Sequence, residues 1–166
     1  MQVVGLSATV GNANEVARWF SKDAVVVEGP SPRSTEVSVH VEPATPEDEA
    51  LSVTWNVSPR AISSLRRLTS LIKTSSPALV FVNSRSNAET VAQRMLQISP
   101  EVRIGVHHGS LAAQTREHME NSLKNGQLDA MICTSSLELG IDVGSIKAVH
   151  QIQSPRSVDS LSLIHI

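Results

Sequence analysis

Three short polar clusters in this sequence carry the residue types that grip phosphate: Asn83-Ser84-Arg85, His107-His108-Gly109-Ser110 and Thr134-Ser135-Ser136. An arginine fork matches phosphate oxygens, hydroxyls and amides donate to them, and a glycine lets a phosphate approach the main chain. Each residue also has a plainer reading. Arg85 fits a surface salt bridge, although its place just after an apolar run favours a phosphate contact. Thr134 and Ser135 fit caps of the following turn. His108 reads as a structural or backbone-binding residue rather than an acid–base catalyst, with Gly109 opening the main chain beside it. Further on, Gly140 fits a tight turn, Asp142 fits a helix cap or a solvent-facing acid, and Glu138 has no evident chemical role.

Other chemistries are not supported. Ser7 and Thr9 have no base partner in the sequence and do not read as nucleophiles. The single cysteine, Cys133, sits in an apolar run, and His107, His108 and His150 stand at no zinc spacing from it. Asp48-Glu49 resembles an acidic metal-binding pair, but no apolar strand precedes it and the pair is rejected. No GxxxxGK[ST] phosphate loop and no GxGxxG dinucleotide fingerprint occurs.

The elements that must position the clusters follow from periodicity and punctuation. Residues 2–6 read as the end of a buried strand, Asn12 as a helix cap with Glu15 as capping-box partner, and Val16, Trp19 and Phe20 as one helical face. Residues 24–28 read as a second strand and 29–34 as a turn or linker. Residues 35–41 alternate in the strand manner, with Val37, Val39 and Val41 on one face, and the acidic stretch 42–50 reads as an exposed loop. A helix is expected over 59–74, with Pro59 in its first turn and Ile62, Leu65, Leu68 or Thr69, and Ile72 inward. Strands follow at 78–82, 102–106, 129–134 and about 148–151. Between them, one helix capped by Ser84 or Ser86 buries Ala88, Val91 and Met95, and a second spans 111–124 with Leu111, Met119 and Leu123 inward and Gly126 ending it. A short turn is expected at 136–139, and another helix near Ser157. Strand, loop and helix recur at roughly 25-residue intervals, the pattern of an open parallel α/β sheet with flanking helices. In such a sheet the loops after the strands gather on one edge, where ligands bind. All three polar clusters fall on that edge.

Composition narrows the class. With 166 residues, the chain is long enough for one domain with a sizeable core. Aromatics make up only 2%, with no Tyr, which argues against base-stacking platforms. The net charge of -2 gives no global basic field, but residues 59–166 carry eleven basic against eight acidic side chains while 1–58 carry three against eight. No run of about 18 apolar residues exists to span a membrane, and the opening residues lack signal-peptide features, so no membrane partner and a cytoplasmic location are expected.

Several segments resemble motifs of superfamily 2 helicases, most closely the large helicase-related, or Lhr-like, group. Cys133-Thr-Ser-Ser-Leu-Glu-Leu-Gly-Ile-Asp-Val-Gly144 resembles motif V, Gly5-Leu-Ser-Ala-Thr9 motif III, and Val80-Phe-Val-Asn-Ser-Arg85 motif IV. His108-Gly109 with Arg116 and Glu120 resembles the segment between motifs IV and V, and Ser154-Pro-Arg-Ser-Val158 the lead-in to motif VI. The order of the motifs and their place on the strand edges make the joint signal strong.

The resemblance implies two RecA-like motor domains with ATP between them. On that reading residues 1–28 are the tail of the first domain, 29–58 the connection and opening strand, and 59–166 most of the second. It implies coupling roles for Ser7 and Thr9, and an ATP-cleft position for Gly140 and Asp142, the latter towards the ribose. It implies nucleic-acid backbone contacts for Asn83, Ser84, Arg85, His108, Gly109, Thr134 and Ser135. The parent would use ATP and Mg2+ and move along single-stranded or tailed duplex DNA, or RNA, a 3′ to 5′ polarity being part of the same implication. The pattern also breaks: the phosphate loop and a DExH segment are absent, and Ser162-Leu-Ile-His-Ile166 stands where the family has the arginines of motif VI. A truncated chain, without ATPase of its own and lacking its first motor domain, is therefore expected.

Overall fold

The computed structural model describes residues 4–5, 12–27, 36–134 and 146–154. The chain divides into two compact units, residues 1–38 with 156–166, and residues 39–155. In the first, helix α1 (Ala13–Phe20) starts where expected. The Asn12 side chain accepts from the Glu15 N–H at 3.2 Å and donates to the Glu15 carboxylate at 3.1 Å. Trp19 and Phe20 on this helix are exposed. Residues 24–27 form no strand, and Val25 and Val27 are exposed. Of the strand expected at 2–6, only Val4 and Gly5 are described, without regular structure.

The second unit holds α2 (Pro46–Trp55), α3 (Pro59–Thr74), β1 (Ala78–Phe81), α4 (Arg85–Ile98), β2 (Ile104–His107), α5 (Ala113–Lys124), β3 (Ala130–Cys133) and β4 (Ala148–Gln151). Two expectations ahead of α3 are corrected. Residues 36–41 are not a strand: Val37, Val39 and Val41 are exposed, and the stretch joins no sheet among the described residues. Alternation is a local property, whereas a strand needs a neighbour to take its N–H and C=O groups. The acidic stretch expected as a loop contains the first half of α2. Thr45 caps it, accepting from the Asp48 N–H at 3.3 Å while the Asp48 carboxylate accepts from the Thr45 N–H at 2.8 Å, and Pro46 fills the first turn. Asp48 is only 2% exposed because Arg66 of α3 covers it with a two-pronged ion pair at 2.6 and 3.2 Å.

Helix α3 matches its periodicity, with Ile62, Leu65, Leu68, Thr69 and Ile72 all buried. The four strands are parallel in the order β2-β3-β1-β4. β1 and β3, at the centre, are buried throughout. Strand β2 shows how the sheet is covered on both faces. Ile104 and Val106 pack into the core with Ala88, Ala92 and Met95 of α4. Gly105 and His107 alternate to the other face, where a Cβ on Gly105 would come within 2.7 Å of Leu128 and 3.2 Å of the Met119 sulfur of α5. Helix α5 ends at Lys124 with Asn125 as its C-cap, and Gly126 then takes the left-handed conformation at φ 69°.

Candidate nucleic-acid interface

The strands stop level with one another. Phe81 of β1 lies opposite Cys133 of β3 and Gln151 of β4, and His107 of β2 lies opposite Cys133. Main-chain bonds run one step further, from Val82 N–H to the Cys133 carbonyl at 2.9 Å, Ile152 N–H to Phe81 at 3.2 Å and Thr134 N–H to His107 at 3.3 Å. Asn83 to Arg85, His108 to Ser110 and Thr134 therefore leave the sheet along a common carboxyl edge, as the loop-after-strand pattern expects. Ser135, Gly140 and Asp142, and likewise Ser7 and Thr9, lie outside the described residues.

Ser84 caps α4, its hydroxyl accepting from the Asn87 N–H at 3.2 Å, so Arg85 is the first residue of the helix and is exposed. The Arg85 guanidinium donates to the Ser110 hydroxyl across the loop after β2. Among the described residues it meets no carboxylate, unlike Arg66, Arg67 and Arg103, which pair with Asp48, Glu42 and Asp129. One helical turn beyond Arg85, Glu89 accepts from Nε2–H of His108 at 3.0 Å. The loop after β2 is thus tied twice to the start of α4. His107, 1% exposed on the other face of the strand, donates through Nε2 to Glu120 of α5 at 2.9 Å. Because a carboxylate only accepts, Nε2 is the donor in each of these contacts. Both Nδ1 atoms are buried without a partner among the described residues. Gly109 and Ser110 are exposed at the tip, where Leu111 N–H turns back to the His108 carbonyl at 3.1 Å.

Sequence reasoning missed a second set of contacts. Gln153, just beyond β4, accepts through Oε1 from the Asn83 N–H at 3.2 Å and from the Asn87 amide at 3.0 Å, while the Asn83 amide donates to the Ser154 carbonyl at 3.0 Å. The only signal available was that polar residues follow β4 as they follow the other strands. His150, within β4, has its pKa held below the ordinary 6.5 by burial and, secondarily, by nearby His40. No three His, Cys, Asp or Glu side chains gather to hold a metal ion among the described residues.

Three comparisons bear on this edge. Residues 61–166 match the Helicase conserved C-terminal domain. The ATP-dependent helicase Lhr-Core of Methanocaldococcus jannaschii is 34% identical over 158 residues, covering 93% of this chain and 18% of the relative. The Lhr helicase/probable uracil glycosylase of Mycolicibacterium smegmatis is 32% identical over 195 residues, covering 96% of this chain and 12% of the relative. Among solved structures, Mycobacterium smegmatis helicase Lhr bound to ssDNA and AMP-PNP superposes with a TM-score of 0.75 and 36% identity, over 96% of this chain and 21% of that one. The chain thus spans about a fifth or less of the length of these proteins. No helix among the described residues is long and apolar enough to cross a membrane.

Proposed function

The chain belongs to the Helicase conserved C-terminal domain family, and from that premise we propose that it acts as the second motor domain of an ATP-driven nucleic-acid helicase, gripping one strand by its backbone. The observation that carries this reading is Arg85: a fixed positive charge at a helix start, on the ligand-binding edge of a parallel sheet, with a neutral hydroxyl as its partner among the described residues. A phosphate completes such a site without displacing a carboxylate. Asn83, Ser84, His108, Gly109, Thr134 and Ser135 flank it as further backbone contacts. Contacts of this kind fix register without reading sequence, as a motor that moves along a strand requires.

Residues 59–166 form this motor domain in the proposal, 29–58 connect to it, and 1–28 belong to its neighbour. Gly140 and Asp142 face the ATP cleft, with Ser7 and Thr9 coupling nucleotide state to domain closure. The phosphate-gripping lysine and the Mg2+ ligands belong to the other motor domain, because this sequence has neither GxxxxGK[ST] nor DExH. The strand is single-stranded or tailed DNA, travelled 3′ to 5′ in the cytoplasm. The ssDNA in the solved Mycobacterium smegmatis relative supports DNA over RNA as the partner.

Two measurements test the proposal on this chain. Its affinity for a single-stranded oligonucleotide is expected to fall steeply with salt, by about 0.7 log units per log unit of salt for each phosphate neutralised. ATP turnover is expected to stay at background with and without that strand. DNA-stimulated turnover, or binding indifferent to salt, overturns the corresponding half.

A further inference from the structure

Beside Arg85, the carboxyl edge carries a polar cluster with no charge in it, formed by Asn83, Asn87 and Gln153. Two main-chain groups fix which way each amide faces. The Asn83 N–H only donates, so the Gln153 atom it meets at 3.2 Å is the oxygen. Asn87 must then present its NH2 to that same oxygen, at 3.0 Å. The Ser154 carbonyl only accepts, so Asn83 turns its own NH2 to it, at 3.0 Å. Three amides whose ends are otherwise interchangeable are set by this chain of donors and acceptors. The ends left over among the described residues are the Gln153 NH2, a donor, and the Asn83 and Asn87 side-chain oxygens, acceptors. Asn83 and Gln153 are exposed, so these ends are within reach of a ligand.

The first turn of α4 joins this cluster to the charged one. Arg85 bonds towards the loop after β2, and Asn87, two residues on, bonds towards the exit of β4. These lie on opposite sides of β1 in the order β2-β3-β1-β4. The edge is therefore cationic on one side of β1 and neutral, with donor and acceptor together, on the other. A phosphate oxygen only accepts, and it would meet two amide oxygens there. A hydroxyl or a base edge offers both a donor and an acceptor.

Resting on the reading of this edge as a strand-binding surface, we propose that Gln153, with Asn83 and Asn87, is a neutral subsite for a sugar hydroxyl or base edge of the strand whose phosphate Arg85 holds. Gln153 supplies the donor, locked in place by the two bonds its oxygen accepts, and no charge is exchanged.

Salt separates the two subsites. Fluorescence anisotropy titrations of a labelled single strand with the whole chain, over a series of salt concentrations, compare wild type with Gln153→Leu, Asn87→Ala and Arg85→Ala, each checked by a thermal melt. Gln153→Leu is expected to weaken binding about 3- to 10-fold at every salt concentration, leaving the salt slope unchanged. Arg85→Ala is expected to lower the slope by about 0.7. Asn87→Ala, which frees the Gln153 oxygen to rotate, is expected to weaken binding in the same salt-independent way. Should the wild type not bind, or Arg85→Ala leave the slope unaltered, the strand-binding reading fails and the subsite with it. Should those two behave as expected while folded Gln153→Leu and Asn87→Ala bind like wild type, or change the slope, the neutral subsite alone is overturned. Matched DNA, RNA and abasic strands then identify the group. Loss of the Gln153→Leu effect on the abasic strand assigns a base edge. An effect kept there and larger on RNA assigns the 2′-hydroxyl.

Discussion

The two edges of this sheet spend their arginines differently. At the amino edge, Arg103 stands just before β2 and Asp129 just before β3. The Asp129 carboxylate accepts from the Arg103 main-chain N–H at 2.9 Å and from its guanidinium at 3.1 and 2.6 Å, while Arg103 also donates to the Gly126 carbonyl at 2.9 Å. Main-chain bonds carry the closure across the rest of that edge, from Asp129 N–H to Arg103 O at 2.8 Å, Ala78 N–H to Asp129 O at 3.0 Å and Lys147 N–H to Pro77 O at 2.9 Å. At the carboxyl edge Arg85 bonds a serine hydroxyl, and amide ends stay unpartnered among the described residues. The same residue type serves the fold at one edge and faces outward at the other. What distinguishes them is whether a carboxylate already occupies the fork. Arg66 and Arg67 of α3, paired with Asp48 and Glu42, belong with Arg103 by that criterion.

The sharpest way to break this contrast is Arg85→Ala. Removing a charge-assisted phosphate contact is expected to weaken single-strand binding about tenfold at low salt and to lower the salt slope by about 0.7. Because the guanidinium is exposed and anchors no carboxylate among the described residues, the unfolding free energy from urea titration is expected to stay within about 0.5 kcal/mol of wild type. A folding defect as large as the binding defect would put Arg85 in the same class as Arg103.

Asp129→Ala is the converse, with a smaller effect. It is expected to lower the folding equilibrium constant about fivefold, a modest figure because Arg103 is half exposed and its pair is screened by water. Strand binding and its salt slope are expected to be unchanged. The pH dependence has a definite sign. The Arg103 bonds hold the Asp129 carboxyl below its ordinary 3.8, with its bond to the Arg103 main chain adding to the effect. A carboxyl depressed in the folded state binds fewer protons there than in the unfolded chain, so its stabilisation is present above 3.8 and fades as pH falls below that value. Urea titrations between neutral pH and pH 3 are expected to show the stability gap between wild type and Asp129→Ala narrowing only at the acid end.

These edges were legible in the sequence to different depths. Helix α3 and the buried strands β1 and β3 followed from apolar spacing alone, because a core face repeats along the chain that makes it. The carboxyl edge followed in turn, since parallel strands joined by helices bring their exits together. Helix α2 did not follow, although Thr45, Pro46 and Asp48 spell its cap, because its apolar residues make no continuous stripe and Val53 is exposed. Acidic charge was read as exposure, yet Asp48 is buried by an arginine 18 residues away. The strands expected at 24–28 and 35–41 failed over their described residues for the opposite reason, having apolar residues but joining no sheet among the described residues. The Gln153 cluster was invisible because its partners lie 66 and 70 residues away, and only the register of β1 with β4 brings them together.

The smallest expected effect separates charge from position at Arg85 itself. Ser110→Ala removes the hydroxyl that steadies the guanidinium but leaves its charge and the loop's second tie, from His108 to Glu89, intact. Counterion release depends on how many charges meet phosphate, so the salt slope is expected to equal that of wild type. Affinity is expected to fall less than about threefold, the cost of ordering a side chain that the serine otherwise holds in place. The comparison with Arg85→Ala then has content: both variants weaken binding, but only one changes the slope. If Ser110→Ala also lowered the slope by a full charge, the hydroxyl would be required for Arg85 to reach phosphate at all. The Arg85–Ser110 bond would then be a built part of the phosphate site rather than a resting contact that the strand replaces.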